Sequence, residues 1–311
     1  MGDASTYDAI IIGGGPGGLT AGLYLARAGK KTLLLEQTLL GGQIAQTNHV
    51  ENYPGFPDGI TGRELIELFQ RQAVRFGLEI QFGRVDGLTL DGEWKQVSVS
   101  GFPFRSRVVV IATGLIQRLG IPGEEEFLGR GVSYCATCDG ALYRQRPVAV
   151  VGGSEWAMEE AHFLTRFAQP LYLVVPGSGV KRSSPLREEV LDHPAVEVVA
   201  GARPVEILGD AAGVQSLRVH AEGQTELRDL SVEGVFICAG KKHPGTGFLG
   251  ELLDTDEGGY LRVDECCETP LPGVYAVGDV RRHRFHQVGT AVGDGTIAGM
   301  DALRHLKKTG G

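Results

Sequence analysis

The stretch Gly13-Gly14-Gly15-Pro16-Gly17-Gly18 decides the fold. A short apolar run, residues 7–12, leads into it. A segment with apolar side chains at Leu19, Leu23, Tyr24, Leu25 and Ala28 follows and is closed by Gly29. A second apolar run, residues 31–36, ends on Glu36. Strand, glycine turn, amphipathic helix and second strand make a βαβ unit. In that setting Gly13 permits the tight turn, Gly15 lets a pyrophosphate approach the backbone, and Gly18 lets helix and strand pack closely. The helix start offers free N–H groups and partial positive charge. Glu36 stands 18 residues after Gly18, where a carboxylate accepts hydrogen bonds from a ribose 2′-hydroxyl. The same charge repels a 2′-phosphate, so the pattern predicts FAD or NAD here rather than NADP.

Further along, residues 62–76 carry a helical apolar pattern, residues 85–104 alternate as an antiparallel set, and residues 107–111 form a buried strand closing at Ala112-Thr113-Gly114. The pattern then restarts. Residues 147–151 read as a strand, Gly152-Gly153-Ser154 as a turn, 155–167 as a helix and 171–175 as a strand. Alternating strands follow over 196–232, then strands at 234–240 and 273–277. The last is capped by Gly278-Asp279, and a final helix begins near 293. This order predicts an α/β protein of two doubly wound, three-layer dinucleotide-binding domains, the second inserted into the first. The expected bounds are 1–116 with 245–311 for the FAD-binding domain and 117–244 for a nicotinamide-type domain.

Composition agrees. A chain of 311 residues suits two domains, and 42% hydrophobic with 22% charged residues excludes disorder as the main state. The net charge of −8 argues against a general nucleic-acid binder. No apolar run approaches the ~18 residues of a membrane span, and residues 1–8 lack a signal-peptide pattern. Five cysteines, an odd number, do not resemble a secreted disulfide framework. A cytoplasmic setting is expected.

Cys135-Ala136-Thr137-Cys138-Asp139 lies in the inserted segment. Two cysteines so spaced can close a small redox disulfide. A zinc half-site is the rival, but it needs a second ligand pair, and Cys266-Cys267 are adjacent rather than at ligand spacing. No metal is expected. Asp139 could give or take the proton that thiol–disulfide exchange requires.

With these pieces in hand, the chain resembles the low-molecular-weight thioredoxin reductases over nearly its whole length. The resemblance rests on residues 13–18, Glu36, Gly41-Gly42-Gln43, Glu51-Asn52-Tyr53-Pro54-Gly55, Ala112-Thr113-Gly114, residues 135–139, and Gly278-Asp279-Val280 with Gln287. It implies FAD in the first domain. Gly13, Gly15, Pro16, Gly18, Glu36, Gly42, Gln43, Asn52, Val85, Ala112, Thr113, Gly114, Asp279, His286, Gln287 and Val288 would hold it. It further implies a homodimer that reduces a thioredoxin-like protein. Cys135, Cys138 and Asp139 would be the catalytic set, with Cys138 facing the flavin and Cys135 attacking the partner's disulfide.

The second βαβ unit departs from the family. There the loop reads Gly-x-Gly-x-x-Ala and the next strand ends in a His-Arg-Arg cluster with a further Arg, which together hold NADPH. Here Ser154 replaces the close-approach glycine, Glu155 opens the helix, Trp156 is bulky, and Val175-Pro176-Gly177 stand at the strand end, with Lys181 and Arg182 beyond. Losing guanidinium forks weakens 2′-phosphate recognition. NADPH use is therefore in doubt, and the expectation is a flavin-dependent disulfide reductase with a non-nicotinamide donor such as ferredoxin. The alternatives are an ordinary NADPH-dependent thioredoxin reductase and a non-catalytic flavin sensor; the intact Cys135/Cys138/Asp139 set opposes the sensor.

Other features carry less. Arg281-Arg282-His283-Arg284 is a basic run in an acidic chain, read as a solvated loop ahead of a docking point for an acidic partner. Phe285-His286 replaces the family's Tyr-Arg. Cys238 reads as buried, Cys266 and Cys267 as surface or half-buried thiols, and Leu88 and Trp94 as members of a sheet face.

Overall fold

The computed structural model describes residues 5–310 except 48, 178–183 and 224–225; the side chains of Gln46, Thr137, Cys138 and Lys241 also lie outside the described set. Its α-helices among the described residues are α1 (Pro16–Arg27), α2 (Gly62–Arg75), α3 (Ala136–Asp139), α4 (Glu155–Leu164), α5 (Pro185–Leu191) and α6 (Val288–Lys308). The chain divides into two compact units, Met1–Ile116 with His243–Gly311, and Gln117–Lys242. The two crossings run along the strands Leu115–Arg118 and Lys241–Pro244, which pair with each other.

The first unit is built on a five-stranded parallel sheet in the order Val274–Ala276, Val108–Ile111, Ala9–Ile12, Thr32–Glu36, Glu79–Phe82. Register places Ile11 beside Val110 on one side and Leu34 on the other. The central strands are apolar on both faces because both are covered. Ile11, Leu34 and Val110 point to one face, against Leu19 and Leu25 of α1 and Ala298 and Leu306 of α6. Ile10, Leu33, Leu35 and Val109 point to the other, against Val97, Val99 and Phe104. Those three belong to the antiparallel strands Lys95–Val99 and Phe102–Ser106, which continue to Val85–Thr89. The result is three layers, and each fully buried Leu or Ile contributes roughly 1.5–3 kcal/mol. The strand Glu79–Phe82 is not legible from apolar pattern: it lies at the sheet edge and most of it is exposed.

The second unit repeats the plan. Its parallel sheet runs Val132–Ser133, Gly234–Ile237, Val148–Val151, Leu171–Val175, Val196–Ala200. The helix α4 packs on one face through Ala157, Met158, Ala161 and Leu164. The antiparallel strands Ala202–Asp210, Gly213–Ala221 and Leu227–Ser231 cover the other through Ile207, Leu217, Val219 and Leu230. The alternating stretch expected over 196–232 is thus divided: its first strand joins the parallel sheet, and the rest forms the covering layer.

The basic run 281–284 is divided: Arg281 and His283 turn toward a buried carboxylate, and Arg282 and Arg284 are exposed. The buried Asp294 of α6 accepts Arg281 Nη1 at 2.6 Å and the Gly278 N–H at 3.0 Å, and lies 2.6 Å from His283 Nε2. Arg282 pairs with Asp256, and Arg284 lies over the ring of Phe285. Removing one partner of a buried pair leaves the others uncompensated. Asp294→Ala is therefore expected to destabilise the protein by about 3 kcal/mol, read as a shift of the urea midpoint at unchanged slope.

Two smaller expectations are corrected. Trp94 lies in the turn before Lys95–Val99, not on a strand, and its ring is covered by Arg105 and Arg107 at 5.1 and 5.0 Å. Cys267 is not a surface thiol: it is 1% exposed, at φ 63°. Leu88 does lie on a strand, Val85–Thr89.

Candidate functional site: a dinucleotide cradle and a redox turn

The glycine turn of the first unit separates two kinds of glycine. Gly13, at φ 107°, could not carry a Cβ, which would stand 2.4 Å from Ala112 O; at Gly18 a Cβ would stand 2.1 Å from Gly13 O. These two serve the chain's own packing. At Gly15 the nearest atom to a Cβ would be Gly41 O, 4.0 Å away, so that position is open. The helix α1 starts there at Pro16 with no side-chain cap and no acid in its first turn. Its first N–H groups are left for an anion.

Glu36 is fixed at the other end. Its Oε2 accepts Gly14 N–H at 2.8 Å and its Oε1 accepts Thr38 N–H at 2.9 Å. Both oxygens keep lone pairs for a hydroxyl. Open space at Gly15, an uncapped helix start and a fixed carboxylate fit a diphosphate dinucleotide with a free ribose hydroxyl.

Other residues that the sequence singled out gather in the same unit. Gly41 N–H donates to Gly14 O at 2.8 Å, Gly42 opens the turn Gly42–Gln46, and Gln43 Nε2 donates to Leu115 O at 3.1 Å. Ala112 N–H donates to Ile12 O at 2.7 Å, and the Gly114 carbonyl accepts Gly245 N–H at 2.8 Å. Thr113 Oγ1 donates to Gly245 O at 2.8 Å. Asn52 Nδ2 donates to Gln287 Oε1 at 3.0 Å. Asp279 Oδ1 lies 3.2 Å from His286 Nδ1, whose ring stacks on Tyr260. A Cβ on Gly17 would stand 3.2 Å from Ala291 O and 3.6 Å from Gly278 N, so α1, the 278 turn and α6 meet closely.

The helix α6 starts at Val288, five residues before the expected position. Gln287 N–H donates to Thr290 Oγ1 at 3.2 Å there. Val85 is placed differently, as the first residue of the antiparallel layer, two residues beyond the Gly83 N–H that donates to Glu36 O at 2.8 Å.

The second βαβ turn is closed by its own side chains. Ser154 Oγ caps α4 by accepting Ala157 N–H at 3.2 Å. Glu155 receives Arg187 Nε at 2.7 Å and Ser184 Oγ at 3.0 Å, and Arg187 Nη2 also donates to Gly153 O at 3.2 Å. Arg187 comes from α5, a seven-residue helix too short for periodicity to reveal, although Ser184-Pro185 is a helix-start signal. Lys181 and Arg182 lie outside the described residues.

The cysteine turn is also in the second unit. Cys135 is disulfide-bonded; the Cys138 side chain lies outside the described residues. Ser133, buried on the short strand Val132–Ser133, organises the turn. Its hydroxyl donates to Asp139 Oδ2 at 2.6 Å and accepts Cys135 N–H at 3.1 Å. Sequence reasoning missed Ser133, because nothing in its neighbours marks it.

Cys238, Cys266 and Cys267 are free thiols. Burial, and then the charge of Glu160, pushes the Cys238 thiol well up. Burial, and then Asp294, pushes Cys267 up to about 12. Neither supplies a thiolate at neutral pH. Among the described residues no group of His, Cys, Asp and Glu is arranged to hold a metal, and no helix is long and apolar enough to cross a membrane.

Two linked dinucleotide-binding units, one with an open phosphate turn and one bearing a redox disulfide, define a class of flavin disulfide oxidoreductases. The family model for pyridine nucleotide-disulphide oxidoreductase matches residues 7–295. The thioredoxin reductase of Aquifex aeolicus is 40% identical over 302 residues, 96% of this chain and 93% of that protein. Among solved structures, a thioredoxin reductase from Gloeobacter violaceus is 40% identical with a TM-score of 0.67, covering 98% of this chain and 95% of the other. A ferredoxin-flavin thioredoxin reductase from Clostridium acetobutylicum is 29% identical with a TM-score of 0.62, covering 98% and 99%. The chain belongs to the pyridine nucleotide-disulphide oxidoreductases and, among them, to the low-molecular-weight thioredoxin reductase family. Membership implies FAD, and with it a thioredoxin-disulfide reductase flavoenzyme.

Proposed function

We propose that electrons pass from FAD in the first unit to a Cys135–Cys138 disulfide and on to a thioredoxin-like protein. The observation that carries this reading is the disulfide at Cys135 with Asp139 held 2.6 Å from Ser133 Oγ. FAD is assigned to the 13–18 turn, Glu36, Asn52, Thr113, Asp279 and Gln287. Bound there, it supplies a two-electron carrier between donor and disulfide.

The chain's own residues do the rest. Reduction of the disulfide takes up two electrons and two protons, and Asp139 is the acid–base group that moves a proton at the turn. The Cys135 thiolate attacks one sulfur of the partner's disulfide, and the other sulfur leaves as a thiolate that takes a proton. Cys138 then attacks Cys135 in the mixed disulfide. That step re-forms the intramolecular bond and releases the partner as a dithiol. A homodimer is proposed from the family resemblance.

For the donor, the comparisons favour a pyridine nucleotide over the ferredoxin that the altered second loop suggested. Two relatives called simply thioredoxin reductase are 40% identical, against 31% and 29% for two ferredoxin-flavin structures. In this reading Arg187 is the guanidinium the second turn offers to phosphate. One observation favours the other donor: Glu155 already holds Arg187 and Ser184, and Ser154 already caps α4. An anaerobic stopped-flow trace at the flavin absorbance separates them. NADPH as donor requires bleaching at micromolar NADPH within the turnover time. A protein donor requires no such bleaching with NADPH or NADH and rapid bleaching with reduced ferredoxin.

A further inference from the structure

Glu160 is an acid on a buried stripe. In α4 it falls among Ala157, Ala161 and Leu164, all of which pack into the core of the second unit. Glu160 itself is 8% exposed. A carboxyl in such a place carries a desolvation cost and persists only where it is hydrogen-bonded. Its Oε2 accepts the N–H of Ala136, the residue after Cys135. Ala136 is fully buried, so no solvent replaces that acceptor. The free thiol Cys238, in the same core cluster as Ala136, also feels the Glu160 charge. The carboxyl therefore holds the redox turn at Ala136, while Ser133 holds it at Cys135 and Asp139.

We propose that Glu160 is a positioning residue of the redox turn, fixing the Ala136 backbone and, as a charge one residue from Cys135, holding the disulfide strongly reducing. The physical reason is the reduced state. Burial raises the Glu160 pKa; once ionised, the carboxyl is a negative charge hydrogen-bonded to the residue next to Cys135, so a Cys135 thiolate is disfavoured there, and reduction with it. The two electrons are unchanged in number; the equilibrium moves through the fraction of reduced Cys135 that is thiolate, which takes up one proton fewer.

The proposal rests on Cys135 being the redox-active cysteine, and the experiment keeps the two apart. Wild type, Glu160→Gln and Glu160→Leu are equilibrated in dithiothreitol redox buffers and alkylated, and the Cys135 peptide is weighed. Turnover with oxidised thioredoxin and photochemical bleaching of the flavin are measured beside it. Glu160→Gln keeps an acceptor for Ala136 and loses the charge. It is expected to keep near wild-type turnover while its disulfide becomes about tenfold easier to reduce, equivalent to ~30 mV for a two-electron couple. Glu160→Leu loses both and is expected to drop thioredoxin turnover at least tenfold with flavin bleaching unchanged. A Gln variant whose disulfide equilibrium matches wild type overturns the proposal. So does a Leu variant with wild-type turnover. A wild-type Cys135 that never changes its alkylation state overturns the functional reading instead.

Discussion

Cys135→Ser is expected to remove thioredoxin reduction altogether, a fall of at least about three decades, while the flavin still accepts electrons. The serine hydroxyl is not ionised at neutral pH and cannot attack a disulfide, whereas a cysteine thiol with a pKa near 8.5 supplies a usable thiolate fraction. The substitution changes one atom in a half-exposed turn whose backbone is clamped by Ser133, so the fold should not respond. Cys238 and Cys267 cannot stand in: both are buried, with thiols pushed up. Anaerobic photoreduction measures the flavin half of the reaction, and insulin precipitation with thioredoxin measures the whole. Thioredoxin turnover by the serine variant above a hundredth of wild type would remove Cys135 from the role of nucleophile.

Gly15→Val is expected to give a folded protein that is isolated colourless. At Gly15 a Cβ meets nothing closer than 4.0 Å, so the chain itself tolerates the side chain. A pyrophosphate seated on the first turn of α1 would not, because branched methyl groups occupy its approach. Losing about 3 kcal/mol of binding weakens affinity by roughly two decades. Gly18→Val serves as the control of opposite kind. Its Cβ would overlap Gly13 O at 2.1 Å, so it should unfold the turn whether or not FAD is added. Circular dichroism and flavin content, measured on both, separate the two. A yellow Gly15→Val protein with FAD retained through gel filtration would contradict the placement of the pyrophosphate.

Much of the scaffold was legible because its signals are local. The runs at 7–12 and 148–151 are apolar on both faces, and each ends in glycine before a helix; strand, turn and helix could be assigned without any long-range contact. The acidic partner Glu36 was legible for the same reason, at a fixed distance along one βαβ unit. What escaped depends on packing between distant segments. The strand Glu79–Phe82 has no apolar run because only its pairing with Thr32–Glu36 makes it a strand. The start of α6 is hidden because Gly289, Gly293 and Gly295 break up its first turns and its cap is Gln287, a poor cap by side-chain preference.

The site divides in the same way. Residues 13–18, Glu36 and Cys135 could be named from spacing. Asn52 and Gln287 could be named only through resemblance, since 235 positions separate the two side chains that meet. Ser133, Arg187 and Glu160 were not named as site residues at all. Glu160 did leave a trace, as an acid on the apolar face 157, 161, 164 of a helix. The glycine turn of the second unit shows the limit of motif reading: its departures from pattern were visible, but the Glu155–Arg187–Ser184 linkage that fills it was not.

Whatever the donor, the reduced flavin is expected to empty into a thioredoxin disulfide through Cys135. The direct measurement takes the donor out. The protein is photoreduced anaerobically, mixed in a stopped-flow cell with one equivalent of oxidised thioredoxin, and followed at the visible flavin absorbance. The yellow absorbance is expected to return as one thioredoxin disulfide is reduced for each pair of electrons stored, and Cys135→Ser is expected to stay bleached under the same conditions. A wild-type flavin that stays reduced in the presence of oxidised thioredoxin, or one that reoxidises equally well in the Cys135→Ser protein, would contradict it.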